Sequence, residues 1–346
     1  MLAKWYHFVP GSGLAAAHPL FGAGSMAQKK RSTSAITALL GSLATTLALA
    51  LVFLTVAGFL GGIWWGFDLA AHFRVQYAAL LLPVVAVSAG VRWRRTALVA
   101  GAALLVNLAL IVPLYLVRPA PSDGPATLQI LSFNVTASNP ERRTVIDYLA
   151  ASGADIIFLH ESSTDWEDAL SRSDLPYEMV SSWEPGTVFG TLALIGKDAT
   201  ATVLPLGDFG QLSVEVTIEL DGTEIKVLGT HPLSPVSSAR TAARDEQLRT
   251  IGEWAARQDV PVVVTGDFNA STWSHGFSLV TGAAGLINSQ RGFGVQASWP
   301  ASHTLFSIPI DHLVHSPDLT TVERHLGENL GSDHFPLFAT VARAAG

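Results

Sequence analysis

Between residues 35 and 117 the chain gathers three long apolar stretches, and no other feature constrains its fold as strongly. The first, residues 35–65, is uncharged and longer than the roughly 20 residues that a helix needs to cross a bilayer. The third, residues 96–117, is also uncharged and long enough. The second, residues 75–91, is shorter and carries Pro83. A two-span hairpin would leave Arg92, Arg94 and Arg95 in or on the membrane, where charge is costly, so three spans are expected.

Basic residues set the orientation. Lys29, Lys30 and Arg31 precede the first span, and Arg92, Arg94 and Arg95 fill the loop before the third. The positive-inside rule places both segments in the cytoplasm, and an odd number of spans then puts everything after Val117 on the extracytoplasmic side of the cell (inner) membrane. Trp64 and Trp65 close the first span, where an interfacial aromatic pair or a helix-packing pair would lie.

The charge is split the same way. Residues 1–118 carry nine Lys/Arg and one Asp, a net of +8, whereas residues 119–346 carry twelve Lys/Arg and 27 Asp/Glu, a net of −15. An acidic head cannot release counterions from a nucleic-acid backbone as a basic surface does, so nucleic acid is disfavoured as a partner. The absence of cysteine excludes disulfides and thiolate metal sites. The start of the chain has no signal-peptide pattern, and Met26, followed by Gln28-Lys29-Lys30-Arg31, is the more natural start. Four regions follow: a cytoplasmic segment 1–34 expected to be disordered, a membrane domain 35–117, a Pro-rich linker 118–125 (RPAPSDGP), and a head 126–346.

In the head, strands are expected at 127–133, 155–160, 177–182, 190–196, 212–219, 223–229, 261–265, 310–315, 319–324 and 336–342. Helices are expected around 141–151, 164–172 and 238–257. Asp221-Gly222 marks a hairpin. This mixed order implies α/β layers with two sheets face to face between helices.

Polar residues recur at the ends of these strands. Val262-Val263-Val264-Thr265 runs into Gly266-Asp267-Phe268-Asn269, and the glycine opens a turn that presents Asp267 and Asn269 together. Asp267 suits a hard cation or a water, and Asn269 a phosphate oxygen or the attacking water; an Asx-rich turn would carry the same residues. Ile156-Ile157-Phe158-Leu159-His160 delivers Glu161, a first choice of Mg²⁺ ligand because that ion takes carboxylate, water and phosphate oxygens. Ser332-Asp333-His334 follows Gly331, and an imidazole paired with a carboxylate such as Asp311 is suited to deprotonate water. His231 arrives after the strand ending at Gly229 and can stabilise developing charge. Asn134 closes the first strand. Gly190 to Lys197 has the wrong spacing and Asp198 the wrong side chain for a P-loop, and no Gly-x-Ser-x-Gly is present.

Taken in order, Asn134, Glu161, His231, Asp267-x-Asn269, Asp311-His312 and Ser332-Asp333-His334 resemble the endonuclease/exonuclease/phosphatase superfamily over residues 127–342. The resemblance implies a DNase I-like four-layered α/β sandwich, here preceded by a bundle of three transmembrane helices, and Mg²⁺-dependent phosphoester hydrolysis, with Mn²⁺ as the alternative ion. It implies Glu161, Asn134 and Asp333 as metal ligands and His334, paired with Asp311, as general base. Asp267 and Asn269 would orient nucleophile and phosphate, and His231 would contact phosphate or act on the acid side. His160 stands where many members carry Gln, and no match is found to the residues with which the family's nucleases grip DNA. The expectation is a membrane-anchored phosphoesterase whose phosphorylated substrate is lipid-borne, held against the lipid bilayer. An extracytoplasmic nuclease and a catalytically silent binding module are the alternatives.

Overall fold

The computed structural model describes residues 23–117, 119–182, 190–207 and 212–345. The chain opens with α1 (Ala23–Ala57), α2 (Trp65–Ala71), α3 (Arg74–Gly90), α4 (Arg94–Ile111) and α5 (Pro113–Leu116). Ala35–Ala57 and Arg94–Leu116 are long and apolar enough to cross a membrane; α2 and α3, bent by 67° at their junction, make a third span if counted as one. The described helices thus allow two or three spans, the larger number being the one expected. Small side chains let the helices approach: Ala44 and Ala48 of α1, Ala78 of α3, and Ala100 and Ala103 of α4 are buried in one cluster with Leu81. Leu39, Phe53, Leu98 and Leu105 point outward, each at least 60% exposed, which suits contact with lipid tails.

Two boundaries move. α1 starts at Ala23, so the part of the expected disordered segment from 23 to 34 is helical, and residues 1–22 lie outside the described residues. α1 ends at Ala57 because Gly58, Gly61 and Gly62 interrupt the apolar run, and Trp65 belongs to the separate helix α2. The expected linker is tied down: Ser122 bridges Ala344, Asp123 N–H donates to the Arg343 carbonyl at 2.9 Å, and the Thr320 hydroxyl donates to the Ala120 carbonyl at 2.6 Å.

The head continues with β1 (Leu128–Asn134), α6 (Arg142–Ala151), β2 (Ile156–Ser162), α7 (Thr164–Ser171), β3 (Glu178–Ser181), β4 (Gly190–Ile195), β5 (Thr200–Leu204), β6 (Ser213–Leu220) and β7 (Thr223–Gly229). It ends with α8 (Ser238–Ala256), β8 (Val262–Asp267), α9 (His275–Gly282), β9 (Ile287–Asn288), β10 (Asp311–His315), β11 (Leu319–Leu326) and β12 (Leu337–Arg343). The strands form two six-stranded sheets, ordered β11-β12-β1-β2-β4-β3 and β5-β6-β7-β8-β10-β9. α6 and α7 cover one sheet through Leu131, Val145, Leu149 and Trp166, and α8 and α9 cover the other through Leu248, Ile251, Val264 and Phe277. Between the sheets lies a third core that includes Ile130, Phe158, Val227, Val263 and Leu313. These are the four layers expected.

Strand period decides what the sheets deliver. Alternate residues face alternate sides, so Ile130 in the inter-sheet core puts Ser132 and Asn134 on the same side of β1. Likewise Phe158 fixes His160, Val227 fixes Gly229, Val263 fixes Thr265 and Asp267, and Leu313 fixes Asp311. β1 runs parallel to β2, and β7 to β8, so their C-terminal ends meet at one edge of the sandwich. Glycines let the sheets close there: a Cβ at Gly229 would strike the Phe158 ring, and one at Gly266, whose φ is +145°, would strike the Thr230 carbonyl.

Candidate active site

The polar ends of the two inner faces form one hydrogen-bonded cluster. The Asn134 amide donates to Glu161 Oε1 at 3.1 Å and to Asp267 Oδ2 at 3.2 Å, joining a carboxylate from each sheet. His231 lies 3.5 Å from each of these two oxygens. His334 Nδ1 donates to Asp311 Oδ2 at 2.8 Å, while its Nε2 faces Asp267 Oδ2 at 3.7 Å. The six residues come from β1, β2, β8, β10 and the segments after β7 and before β12, far apart in sequence and adjacent in space.

Local backbone geometry aims them. Glu161 sits where β2 slips register against β4, with φ +54°, so the carboxylate leaves the strand's alternation and enters the cluster. Asn269 also takes a positive φ, +50°, which Asn tolerates, and its N–H donates to Asp267 Oδ1 at 2.9 Å in an Asx turn. Its side-chain amide donates to the Pro232 carbonyl at 3.0 Å. The Ser332 hydroxyl donates to the Asn134 carbonyl at 2.7 Å and accepts the His334 N–H at 3.1 Å, pinning the histidine loop to β1.

Electrostatics separate the groups. Burial pushes the Glu161 carboxyl up, but the hydrogen bond and charge of His231 and the Asn134 amide outweigh it and bring it to about 2. Burial also pushes Asp267 up, Asp311 adds to it, and the opposing His334 leaves it at about 6. For His334 burial is overcome by Asp311 and Asp267, which raise it to about 10. Burial would lower His231, yet Glu161 and Asp267 leave it raised. His160 is held neutral by burial, at about 3, between the Ser132 hydroxyl at 3.0 Å and Thr191 at 3.2 Å.

All eight residues expected from the sequence reach this edge. Six form the cluster, Asn269 joins it through Asp267, and Asp333 stands exposed at the rim. Its Oδ1 accepts the Thr136 hydroxyl at 2.5 Å and its Oδ2 the Trp299 indole N–H at 2.9 Å. Among the described His, Asp and Glu side chains, Asp267, Asp311 and His334 have metal-ligand spacing, within 4.8 Å of one another; the expected set of Glu161, Asn134 and Asp333 includes an amide and lies beside them. The close Asp311–His334 approach is accounted for by their hydrogen bond. Four carboxylates, from Glu161, Asp267, Asp311 and Asp333, converge here, and Asp267 is pushed up by burial and a like-charged neighbour. That oxygen-rich excess of negative charge matches the donor set of a hard divalent cation.

Other participants carry no strand-end signal. Ser298 accepts the Asp311 N–H at 3.2 Å, and the buried Arg324 donates to the Asp311 carbonyl at 3.3 Å. Trp65, Leu69, His72 and Phe73 of the N-terminal helices line the same cleft, about 600 Å³ in volume, as Glu161, Asp267 and His334.

A sandwich of this order with carboxylates, histidines and an asparagine at its paired strand ends defines a phosphoester hydrolase of the DNase I-like class. Residues 130–334 match the Endonuclease/Exonuclease/phosphatase family, and the chain belongs to it. No curated protein sequence matches significantly. Among solved structures, D. rerio TDP2 complexed with single strand DNA product is 18% identical, with TM-score 0.51, covering 62% of this chain and 98% of that one. The human Nocturnin catalytic domain with bound sulfate anion is 16% identical, with TM-score 0.52, covering 67% and 99%. A functionally unknown conserved protein from Enterococcus faecalis V583 is 16% identical, with TM-score 0.51, covering 62% and 100%. These likenesses bear on the fold.

Proposed function

We propose that this chain is a membrane-anchored, divalent-metal-dependent phosphoesterase that hydrolyses a lipid-borne phosphate ester or pyrophosphate. The observation that carries this reading is the meeting of two unlike walls in one cleft: the Glu161–Asp267–His334 cluster and the apolar side chains of α2.

Glu161, Asn134 and Asp333, with Asp267 beside them, would hold the ion, Mg²⁺ or Mn²⁺. When bound, such an ion polarises the phosphate and supplies positive charge among the carboxylates. Those carboxylates otherwise keep His334 protonated, so its Nε2 can take a proton from water only once their charge is offset. Water's oxygen then forms the new bond to phosphorus, its proton goes to His334 Nε2, and Asp311 stabilises the imidazolium. The P–O bond opposite breaks, and protonated His231 gives a proton to the departing oxygen. Asp267 and the Asn269 turn orient water and phosphate.

The anchoring geometry agrees with an extracytoplasmic head. The head's hydrogen bonds to the membrane domain come from residues 68–76 and 110–114, which lie at one end of the helices. Arg92, Arg94 and Arg95 lie at the other end, the cytoplasmic one by the positive-inside rule. The rival is a nuclease, since the D. rerio relative holds a single-strand DNA product; the net charge of −15 after residue 118 speaks against it.

The test is phosphate release by detergent-purified full-length protein from a prenyl pyrophosphate, with single-stranded DNA in parallel. Release from the lipid that stops with chelator and returns with Mg²⁺ or Mn²⁺ is expected. DNA cleavage alone, falling steeply with salt, would replace this reading by the nuclease.

A further inference from the structure

The cleft has an apolar half that hydrolysis does not use. Trp65 and Leu69 are four residues apart and share one face of α2, and Phe73 continues that row past the helix end. The head adds Leu233, Pro235 and Val236 from the segment between β7 and α8. A free phosphate has no use for an apolar wall beside its binding groups, and four of these six side chains, Leu69, Leu233, Pro235 and Val236, offer a nucleobase no aromatic ring to stack on.

The surroundings say what would. Nearly every large apolar side chain exposed among the described residues belongs to the membrane domain; the head contributes only Val236 at 70%, Leu305 at 83%, Phe306 at 64% and Val322 at 48%. Val236 lines the cleft. Leu305 and Phe306 sit on the turn Thr304–Phe306, and Gln76 of α3 donates to the carbonyls of Leu305 at 3.4 Å and Ser307 at 2.9 Å. Three of these four, Val236, Leu305 and Phe306, thus adjoin the helix bundle, where a bilayer surface would cover them. α2 cannot swing aside: Asp68 accepts from Arg244 Nη2 at 2.6 Å and from the His275 N–H at 2.6 Å. The apolar wall is a built part of the site.

We infer that this apolar half is a slot for one hydrocarbon chain of a phosphate-bearing lipid, drawn sideways from the bilayer surface while its phosphate lies among Glu161, Asp267 and His334. This rests on the phosphoesterase reading and specifies its substrate class. A volume of about 600 Å³ admits a phosphate and the first part of a single chain, leaving the remainder in the membrane.

The test is binding, independent of turnover. Inorganic phosphate and n-alkyl phosphates from methyl to dodecyl are titrated into full-length protein in lipid nanodiscs with Mg²⁺, with partition into empty nanodiscs subtracted. Affinity should rise roughly fourfold per methylene and then level off once the slot is full, from the usual transfer free energy of a CH₂ group. Val236→Asn, at an exposed position, and Leu69→Asn should each weaken octyl phosphate at least about fivefold, from the loss of roughly one to two buried methylenes, and leave methyl phosphate unchanged. Affinity independent of chain length, or equal losses for methyl and octyl phosphate, would overturn the slot. Hydrolysis of p-nitrophenyl phosphate and of a prenyl pyrophosphate by the same preparation separates the two readings. Turnover of either substrate without chain-length dependence in binding removes the slot; chain-length dependence without turnover of either keeps the slot and removes the hydrolase.

Discussion

Two buried carboxylate–cation pairs use the same physics for opposite ends. Asp311 and His334 meet at 2.8 Å at the mouth of the sandwich, and Asp68 and Arg244 meet at 2.6 Å where α2 rests on the head. Arg244 is fully enclosed: it also bonds Asp245 at 2.6 Å and the Asn269 carbonyl at 2.9 Å, so its charge is spent on holding a helix and a turn in place. His334 bonds Asp311 with one ring nitrogen and turns the other toward the cleft. A buried pair becomes chemistry when one of its atoms is left facing a substrate, and architecture when none is.

The largest effect should fall on the first pair. His334→Ala is expected to lower kcat by about 10³-fold, within the range for loss of a general acid or base, and to lower the melting temperature as well, because the buried Asp311 carboxylate loses its partner. Phosphate-release kinetics alongside thermal unfolding would check it; an unaltered kcat would demote the pair to architecture.

The second pair should answer in stability. Asp68→Ala leaves a buried guanidinium short of a partner and is expected to destabilise by about 3 kcal/mol, the low end for such a loss because Asp245 remains. Asp68→Leu with Arg244→Met should recover much of that in thermal unfolding of the detergent-solubilised protein. Collapse of kcat without loss of stability would mean that this pair serves the reaction directly.

Acid should separate buried charge from buried neutrality. His312 is on the face of β10 turned away from the site, against Phe277, with Nε2 donating to the Ala270 carbonyl at 2.7 Å. Burial and nearby Arg324 hold it down to about 3, whereas the unfolded chain binds that proton near 6.5. Its contribution is therefore complete above about pH 6.5 and is lost as pH falls toward 3, by up to about 1.4 kcal/mol per pH unit. His312→Gln should flatten the acid side of a plot of stability against pH; an unchanged slope would show the ring to be already charged.

The smallest effect marks the contrast with exposed charge. Arg143 and Asp147 pair at 3.0 Å on α6 with side chains 87% and 59% exposed. Asp147→Ala should change stability by less than about 0.5 kcal/mol in the same unfolding measurement.

The chain by itself determined the bundle's apolar helices, the two-sheet sandwich and the side chains that gather at its candidate site. Those follow from local physics: the length of an uncharged run, a short continuous apolar run such as residues 156–159 that is buried on both faces, and a glycine just before Asp267 at the end of its strand. Short elements escaped that logic. β9 has only two residues, too few for a period to show, β5 and α9 are not among the expected elements, and α2 was hidden in the tail of the first apolar stretch until the glycines after Ala57 separated it. Only the tertiary structure decided that Asn134 bridges Glu161 and Asp267, that Ser298 and Arg324 brace Asp311, and that Trp65, Leu69 and Phe73 wall the cleft that holds Glu161, Asp267 and His334. Each of these joins residues from different sheets, loops or domains. Sequence periodicity records which face of its own element a residue occupies; what stands across from that face is set by packing between elements distant along the chain.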